Sequence, residues 1–235
     1  MEKLGIYEYV AVIVPGVAFL FGLGVMLPET YVLLHLVLLP RDLGTATVHL
    51  VLAFAAGHML QVVGQQVHEY YWTDFGGLPT DWPYSRDHSE LSSDYQQLIA
   101  GALGQRDVED LVEWRRRVAT AHTLVTADGF ASRLESFQAN YGMFRSLVVG
   151  AIALLFVTPW SNLSLTPLVS VICLLLAISL LGMHRFGVHY ARELFAAVSA
   201  WSHKHATNLV AEGQGEISRE DVSSYPRPAV IRRAA

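Results

Sequence analysis

Residues 146–183 contain no Asp, Glu, Lys or Arg, in a chain of 235 residues of which 16% are charged. A transmembrane helix needs about 20 predominantly apolar residues, so this run is long enough for two crossings joined by a short turn. A second apolar region covers most of residues 10–67 and is interrupted twice by short polar pairs. The sequence therefore predicts an all-α fold and a polytopic integral membrane protein.

The apolar regions predict four transmembrane helices. The run 31–39 is too short to cross a membrane and is interpreted as an interfacial or re-entrant segment on the outer side. A fifth crossing through 31–51 is a less favoured alternative, because it would bury Arg41 and Asp42 near its middle at a cost of several kcal/mol. The four predicted crossings are residues 9–27, 45–67, 141–160 and 167–183.

Lys and Arg side chains accumulate in two parts of the chain that follow predicted crossings. Seven arginines follow the second crossing and seven Lys or Arg residues follow the fourth, whereas the other two loops contain only Arg41. Since loops rich in Lys and Arg stay on the cytoplasmic side, both termini and the middle insert are predicted to be cytoplasmic. The predicted location is the plasma membrane, and the compact size and this orientation indicate a bacterial inner membrane.

The crossings divide the chain into five segments. Between the two pairs of crossings lies a helical cytoplasmic insert, with one helix predicted at 89–103 and a second from the N-cap Asp107 to Ala127. A third helix is predicted from Phe130 directly into the third crossing. After the fourth crossing the chain is predicted to continue as an amphipathic cytoplasmic helix and then as a disordered, polar tail. The segments are residues 1–67, 68–140, 141–183, 184–211 and 212–235.

Four polar side chains of the second crossing lie within about 80° of one another on a helix. Polar groups at membrane depth are costly and usually face a bundle interior or a watery path. Three interpretations stay open: interhelical hydrogen bonds, a pore or proton path, and ligation of a metal or haem. The residues of this polar stripe are His58, Gln61, Gln65 and His68.

Three consecutive arginines in the insert, Arg115, Arg116 and Arg117, form a second candidate site. Arginine binds phosphate and carboxylate groups well, so this triplet could contact anionic lipid headgroups, a nucleotide or a phosphorylated partner. The simpler interpretation is a solvated helix face, since Glu113 and Arg117 have the spacing of an ion pair on one helix.

Motifs of known enzyme classes do not occur in complete form. The sequence His68-Glu69-Tyr70-Tyr71-Trp72 begins like a zinc-protease helix, but tryptophan occupies the position of the second histidine ligand. Gly76-Gly77 is interpreted as a turn, and the single cysteine excludes an intramolecular disulfide. We therefore predict no catalytic residues, no metal and no cofactor; an interfacial enzyme that uses His68, Glu69 and Asp74 is the least supported hypothesis.

The large cytoplasmic insert motivates the predicted function. We expect an oligomeric membrane channel or membrane-perturbing effector whose cytoplasmic domain binds a protein or small-molecule trigger. Four crossings cannot enclose a wide pore alone, so this function requires a homo-oligomer in the lipid bilayer. No nucleic-acid partner is expected. The alternative is a non-catalytic assembly or accessory subunit of a larger membrane complex.

Overall fold

The computed structural model describes residues 6–27, 43–85, 110–129, 132–161 and 163–223, and within these ranges the chain is helical and forms no strand. The predicted all-α fold is confirmed. The predicted segment 31–39, the helix 89–103 and the N-cap Asp107 lie outside the described residues. The elements are α1 (Ile6–Met26), α2 (Leu43–Thr73), α3 (Trp82–Ser85), α4 (Leu111–Ala127), α5 (Ser132–Val157), a 3₁₀ turn (Thr158–Trp160) and α6 (Leu165–Ser223).

Three of these helices are long and apolar enough to cross a membrane. The apolar stretches are Ala46–Thr73 in α2, Arg133–Trp160 through α5 and the 3₁₀ turn, and Leu165–Lys204 in α6. Helix α1 contains a shorter apolar stretch, Ala11–Met26. These helices agree with a membrane location.

Helix α6 continues without a break from its apolar half into its amphipathic half, as the sequence predicts. It then extends to Ser223, whereas a disordered tail is predicted from residue 212. Proline is the strongest helix breaker, because it lacks the amide hydrogen and clashes with the preceding turn. The first proline after Pro167 is Pro226, so no proline interrupts the helix before that point.

Helix α4 begins at Leu111, later than the sequence predicts. Its N-cap is Asp110, whose backbone is extended and whose Oδ1 accepts a hydrogen bond from the Val112 amide at 3.1 Å. The predicted cap at Asp107 is therefore wrong for this helix. Both aspartates suit an N-cap by residue type, and Leu111, directly after Asp110, packs beside a buried cluster.

The long helices run in alternating directions. Helix α1 packs against α2 and α5, and α5 packs against α6. At one end of the bundle, the end of α1 and the end of α5 meet the start of α6 in a cluster that contains Met26, Leu154 and Ile172. At the other end, Trp72 of α2 packs against Val188 of α6. Helix α4 and the second half of α6 therefore lie at the same end of the bundle.

Small residues bring the backbones of α1 and α2 into direct contact. A Cβ atom on Gly57 would overlap the carbonyl oxygen of Val12, and one on Gly16 would overlap the carbonyl oxygen of Ala53. Close backbone approach at small residues four positions apart is typical of helix pairs inside membranes. The pairs Val12/Gly16 and Ala53/Gly57 therefore fix where α1 crosses α2.

Outside the apolar bundle, α4 packs along the second half of α6. Trp114 is fully buried beside Ala191 and Phe195. A second cluster joins the end of α4 to α6 and to the start of α5, and its buried members are Ala121, Val125, Leu134, Leu194 and Val198. We call α4 together with residues 184–204 of α6 the helical domain.

Replacing Gly57 with alanine should weaken the α1–α2 contact, because overpacking of this kind costs about 1–3 kcal/mol. The measurement is the unfolding temperature of the purified protein in detergent. Gly150→Ala is the matched control, since a Cβ at that position would lie an ordinary 3.6 Å from Leu60 Cδ1. Equal unfolding temperatures for the two variants would contradict the close crossing.

Candidate functional site

The polar stripe of α2 divides into an exposed and a buried part. His58 and Gln65 are exposed on the surface of the chain, and the His58 ring packs edge-on against Phe54 at 4.4 Å between centroids. Gln61 is half-buried. His68 is buried and its Nδ1 lies 3.3 Å from the Gly64 carbonyl oxygen. A single copy of the chain therefore does not enclose the stripe.

A cavity of about 280 Å³ opens beside the buried end of the stripe, between α2, α5, α6 and the turn that follows α2. Its lining is rich in polar side chains and includes Arg145 on α5, so we call it the Arg145 cavity. The lining residues contain no Asp or Glu. The polar side chains that line it are Gln65, His68, Thr80, Gln138, Tyr141, Arg145 and Tyr190.

Arg145 lines this cavity and makes few polar contacts with its neighbours. Its Nε is buried and has no hydrogen-bond partner, and its guanidinium lies 5.9 Å from the centroid of the Tyr141 ring. None of the ion pairs found among the described residues includes Arg145. Gly64 gives the side chain room, because a Cβ there would lie 3.1 Å from Arg145 Cγ and 3.3 Å from Nε.

Tyr141 is held in place by aromatic neighbours. Trp72 Nε1 donates a hydrogen bond to the Tyr141 hydroxyl at 2.8 Å, and Gly187 allows α6 to approach both rings, because a Cβ there would lie 2.8 Å from the Trp72 ring. On the other side, His184 stacks on Trp72 at 5.1 Å, and its Nδ1 lies 3.2 Å from the hydroxyl of Tyr71.

Three of the histidines that the structure describes near the bundle pack against aromatic rings. His68 packs edge-on against Tyr141 at 6.2 Å, His184 packs against Trp72, and His189 stacks on Phe137 at 5.8 Å. Within the described ranges, no group of three or more His, Cys, Asp or Glu side chains is placed to hold a metal ion. Glu69 and Asp74 are exposed, whereas His68 is buried.

The arginine triplet is shared between two acidic partners. Arg115 donates from Nε at 3.1 Å and from Nη2 at 2.7 Å to Oδ2 of Asp81, whose side chain is only 5% exposed. Arg116 and Arg117 both pair with Glu113, at 2.7 and 3.1 Å. The Glu113–Arg117 pair predicted from the spacing is confirmed. Hydrogen bonds from Arg116 and Arg117 lower the pKa of Glu113, and the hydrogen bond to Asp81 raises the pKa of Arg115.

The turn after α2 is tied to the helical domain by tryptophan side chains as well. Trp114 Nε1 donates to the Thr80 carbonyl oxygen at 2.9 Å, and Trp82 Nε1 donates to the Gly77 carbonyl oxygen at 3.1 Å. Gly76 and Gly77 have φ angles of 75° and 100°, so the predicted turn at this pair is confirmed. Such angles favour glycine strongly.

A second, more open groove of about 330 Å³ lies between α4 and α6, and it combines apolar side chains with Arg116, Arg117 and Trp201. Trp201 Nε1 donates to Asp128 Oδ2 at 2.8 Å. Both arginines in this groove are already paired with Glu113, so the groove is less suited to an anion than the Arg145 cavity.

The sequence analysis did not identify Arg145 and Tyr141 as site residues. Arg145 marks the start of the uncharged run and Tyr141 the start of a predicted crossing, so both have the character of interfacial residues. A signal was nevertheless present, because Gln138, Tyr141 and Arg145 recur at three- and four-residue spacing on one face of a helix.

No protein-family model matches the chain, and neither a curated protein nor a solved structure matches it.

Trp114→Ala should destabilise the helical domain by about 3–5 kcal/mol, the usual cost of removing a large buried ring. It also leaves the Thr80 carbonyl without its indole donor. Trp160→Ala is the control, because Trp160 is 71% exposed and should change stability by no more than about 0.5 kcal/mol. Thermal unfolding followed by circular dichroism measures both. Similar losses in the two variants would contradict the assigned role of Trp114.

Acid should weaken the contact between α4 and α6 through His122. This half-buried imidazole lies 6.4 Å from the Tyr190 ring, and burial lowers its pKa below 6.5, with Glu135 acting in the opposite direction. Above pH 6.5 the imidazole is neutral in the folded and unfolded states. As the pH falls below 6.5, the unfolded state binds the proton first, so the free energy of unfolding decreases until the folded-state pKa is passed.

His122→Phe should remove this part of the pH dependence while keeping an aromatic ring at the contact. The measurement is the unfolding temperature of parent and variant between pH 7.5 and pH 5, a range that spans the titration of histidine. Parallel curves for the two proteins would show that His122 does not contribute.

Proposed function

We propose that this protein is a homo-oligomeric membrane channel or membrane-perturbing effector whose helical domain binds a trigger and passes the change to its membrane helices. The observation that carries the proposal is the continuity of α6, which has 59 residues. At 1.5 Å per residue it is about 90 Å long, and it belongs to both the apolar bundle and the helical domain. A change at the domain end therefore reaches the membrane end without a flexible joint.

Two further helices strengthen this connection. Leu134 near the start of α5 is buried in the same cluster as Val125 of α4, and Trp72 near the end of α2 packs with Trp82, just beyond the turn. The salt bridge between Asp81 and Arg115 joins that turn to α4. Binding at the helical domain would therefore act on three membrane helices together.

Exposed groups on the membrane helices support self-association. His58 and Gln65 are exposed on α2, where hydrocarbon would leave their polar atoms without partners. A neighbouring copy could cover them or could line a watery path with them. Because His68 is buried in the chain, we restrict the proposed path to His58, Gln65 and the half-buried Gln61. Helix α6 also exposes a row of apolar side chains, which suits lipid as well as a partner: Val171, Leu174, Ile178 and Leu181.

The proposed topology has four crossings, with α1 as the fourth. Helix α1 packs against both α2 and α5, which suits a helix inside the same bilayer. The Lys and Arg distribution supports a cytoplasmic helical domain and cytoplasmic termini, in the plasma membrane and specifically a bacterial inner membrane. The trigger is then a cytoplasmic protein or small molecule.

The mass of the nanodisc-purified particle, recorded with its absorption spectrum, is the first test. We expect a defined homo-oligomer without a haem band. A monomer that co-purifies with one larger complex would instead favour an accessory subunit, whose partner would cover the apolar row of α6. A Soret band would contradict both proposals and make the histidines ligands.

Ion flux in proteoliposomes tests the path. If the oligomer conducts, His58→Ala and Gln65→Ala should each change flux several-fold, because both side chains lie on the exposed part of the stripe. Met59→Ala is the matched control, since Met59 is 71% exposed on the adjacent helix face and is apolar. Equal flux in all three variants would contradict a path along α2. An oligomer that fails to conduct with every trigger tested would oppose the channel function.

A further inference from the structure

We propose that the Arg145 cavity binds the phosphate group of an anionic ligand, with Arg145 as its charged donor. This site is separate from the arginine triplet, and it does not depend on whether the protein conducts ions. Arg145 carries a charge within an apolar helix long enough to cross a membrane.

A guanidinium in this position is stabilised by an anionic partner. Ionisable side chains within membrane helices are costly and are usually paired, and the Arg145 side chain is partly buried. Among the described residues, no carboxylate pairs with Arg145, and its buried Nε has no hydrogen-bond acceptor. The contact with the Tyr141 ring face is a weak substitute for an ion pair.

The remaining lining of the cavity favours an anion over a cation. It contains no Asp or Glu, while Gln65 and Gln138 each carry an amide group with two N–H donors. The Tyr141 hydroxyl accepts the hydrogen bond from Trp72 Nε1, which leaves its own O–H to donate elsewhere. Amide and hydroxyl donors around one guanidinium match the several acceptor oxygens of a phosphate group.

The geometry suits a phosphate held by arginine. A guanidinium is planar and binds phosphate oxygens through two parallel N–H donors, which lysine cannot do. Gly64 lets the Arg145 side chain pass close to α2, since any larger residue would contact Cγ and Nε. The Trp72–Tyr141 hydrogen bond keeps the neighbouring ring in place beside the guanidinium.

The volume limits the size of the bound group. A cavity of about 280 Å³ lies near the lower end of the range for small-molecule sites. This space suits a phosphate group with an attached glycerol. The same chemistry occurs in an anionic lipid headgroup and in a soluble phosphate ester, and the cavity lies near the end of the apolar bundle, where either could enter.

The experiment compares two probes on the full-length protein. In one arm, native mass spectrometry counts phosphatidylglycerol and phosphatidylcholine molecules retained from mixed nanodiscs. In the other, the unfolding temperature in neutral detergent is measured with increasing glycerol 3-phosphate. Preferential retention of phosphatidylglycerol would assign a lipid headgroup, and stabilisation by glycerol 3-phosphate without lipid preference would assign a soluble ester.

Arg145→Gln should weaken the binding of whichever probe binds the parent protein by about tenfold or more, as expected for loss of a charge-assisted hydrogen bond. Arg145→Lys should recover only part of the affinity, because it restores the charge and not the planar pair of donors. Arg133→Gln is the matched control, since Arg133 is an exposed arginine on the same helix and lies outside the cavity lining.

Gln138→Ala keeps the proposal testable if Arg145→Gln does not fold. Gln138 is exposed and lines the cavity, so its truncation should preserve the fold and weaken binding several-fold. The proposal is overturned if neither probe binds the parent protein, or if Arg133→Gln reduces binding as much as Arg145→Gln. Neither result would bear on ion flux, so the proposed channel function is tested separately.

Discussion

The hydrogen bond from Trp72 to the Tyr141 hydroxyl lies where three long helices meet at the edge of the apolar bundle. It joins α2 to α5, and Gly187 brings the backbone of α6 against both rings. Indole and phenol side chains suit this position, because each has an apolar body and a single polar group that needs a partner when buried. The turn that follows Trp72 is held by the same chemistry, with Trp82 and Trp114 both donating to its carbonyl oxygens.

The apolar helices could be predicted because composition alone defines them. A long uncharged run has few alternatives to a membrane helix, and the continuity of α5 and α6 follows from helical periodicity without a proline beyond the first turn of α6. The start of α4 could not be placed, since Asp107 and Asp110 are equally suitable caps by residue type. Asp110 is the cap in the structure, and Leu111 after it packs next to Trp114.

The candidate site shows a different limit of prediction from sequence. Periodicity places His58, Gln61, Gln65 and His68 on one face, but it does not reveal which neighbour that face meets at each level. The pairing of Arg117 with Glu113 follows from their spacing on one helix, whereas the pairing of Arg115 with Asp81 depends on a contact between distant segments. The role proposed for Arg145 was not foreseeable, since it depends on the absence of a paired carboxylate among the described residues, and a sequence does not show which side chains surround a charge.

The close contacts of α6 with its neighbours also restrict how this helix can move. Phe144 lies against Gly182, and Trp72 and Tyr141 lie against Gly187, so these rings fit into notches in the helix surface and oppose sliding along its axis. Tilting about Gly187 would disturb these contacts less than sliding would. A helix that tilted there would have arms of about 33 Å towards Leu165 and about 54 Å towards Ser223. An inward displacement of the longer arm would then swing the shorter arm outward.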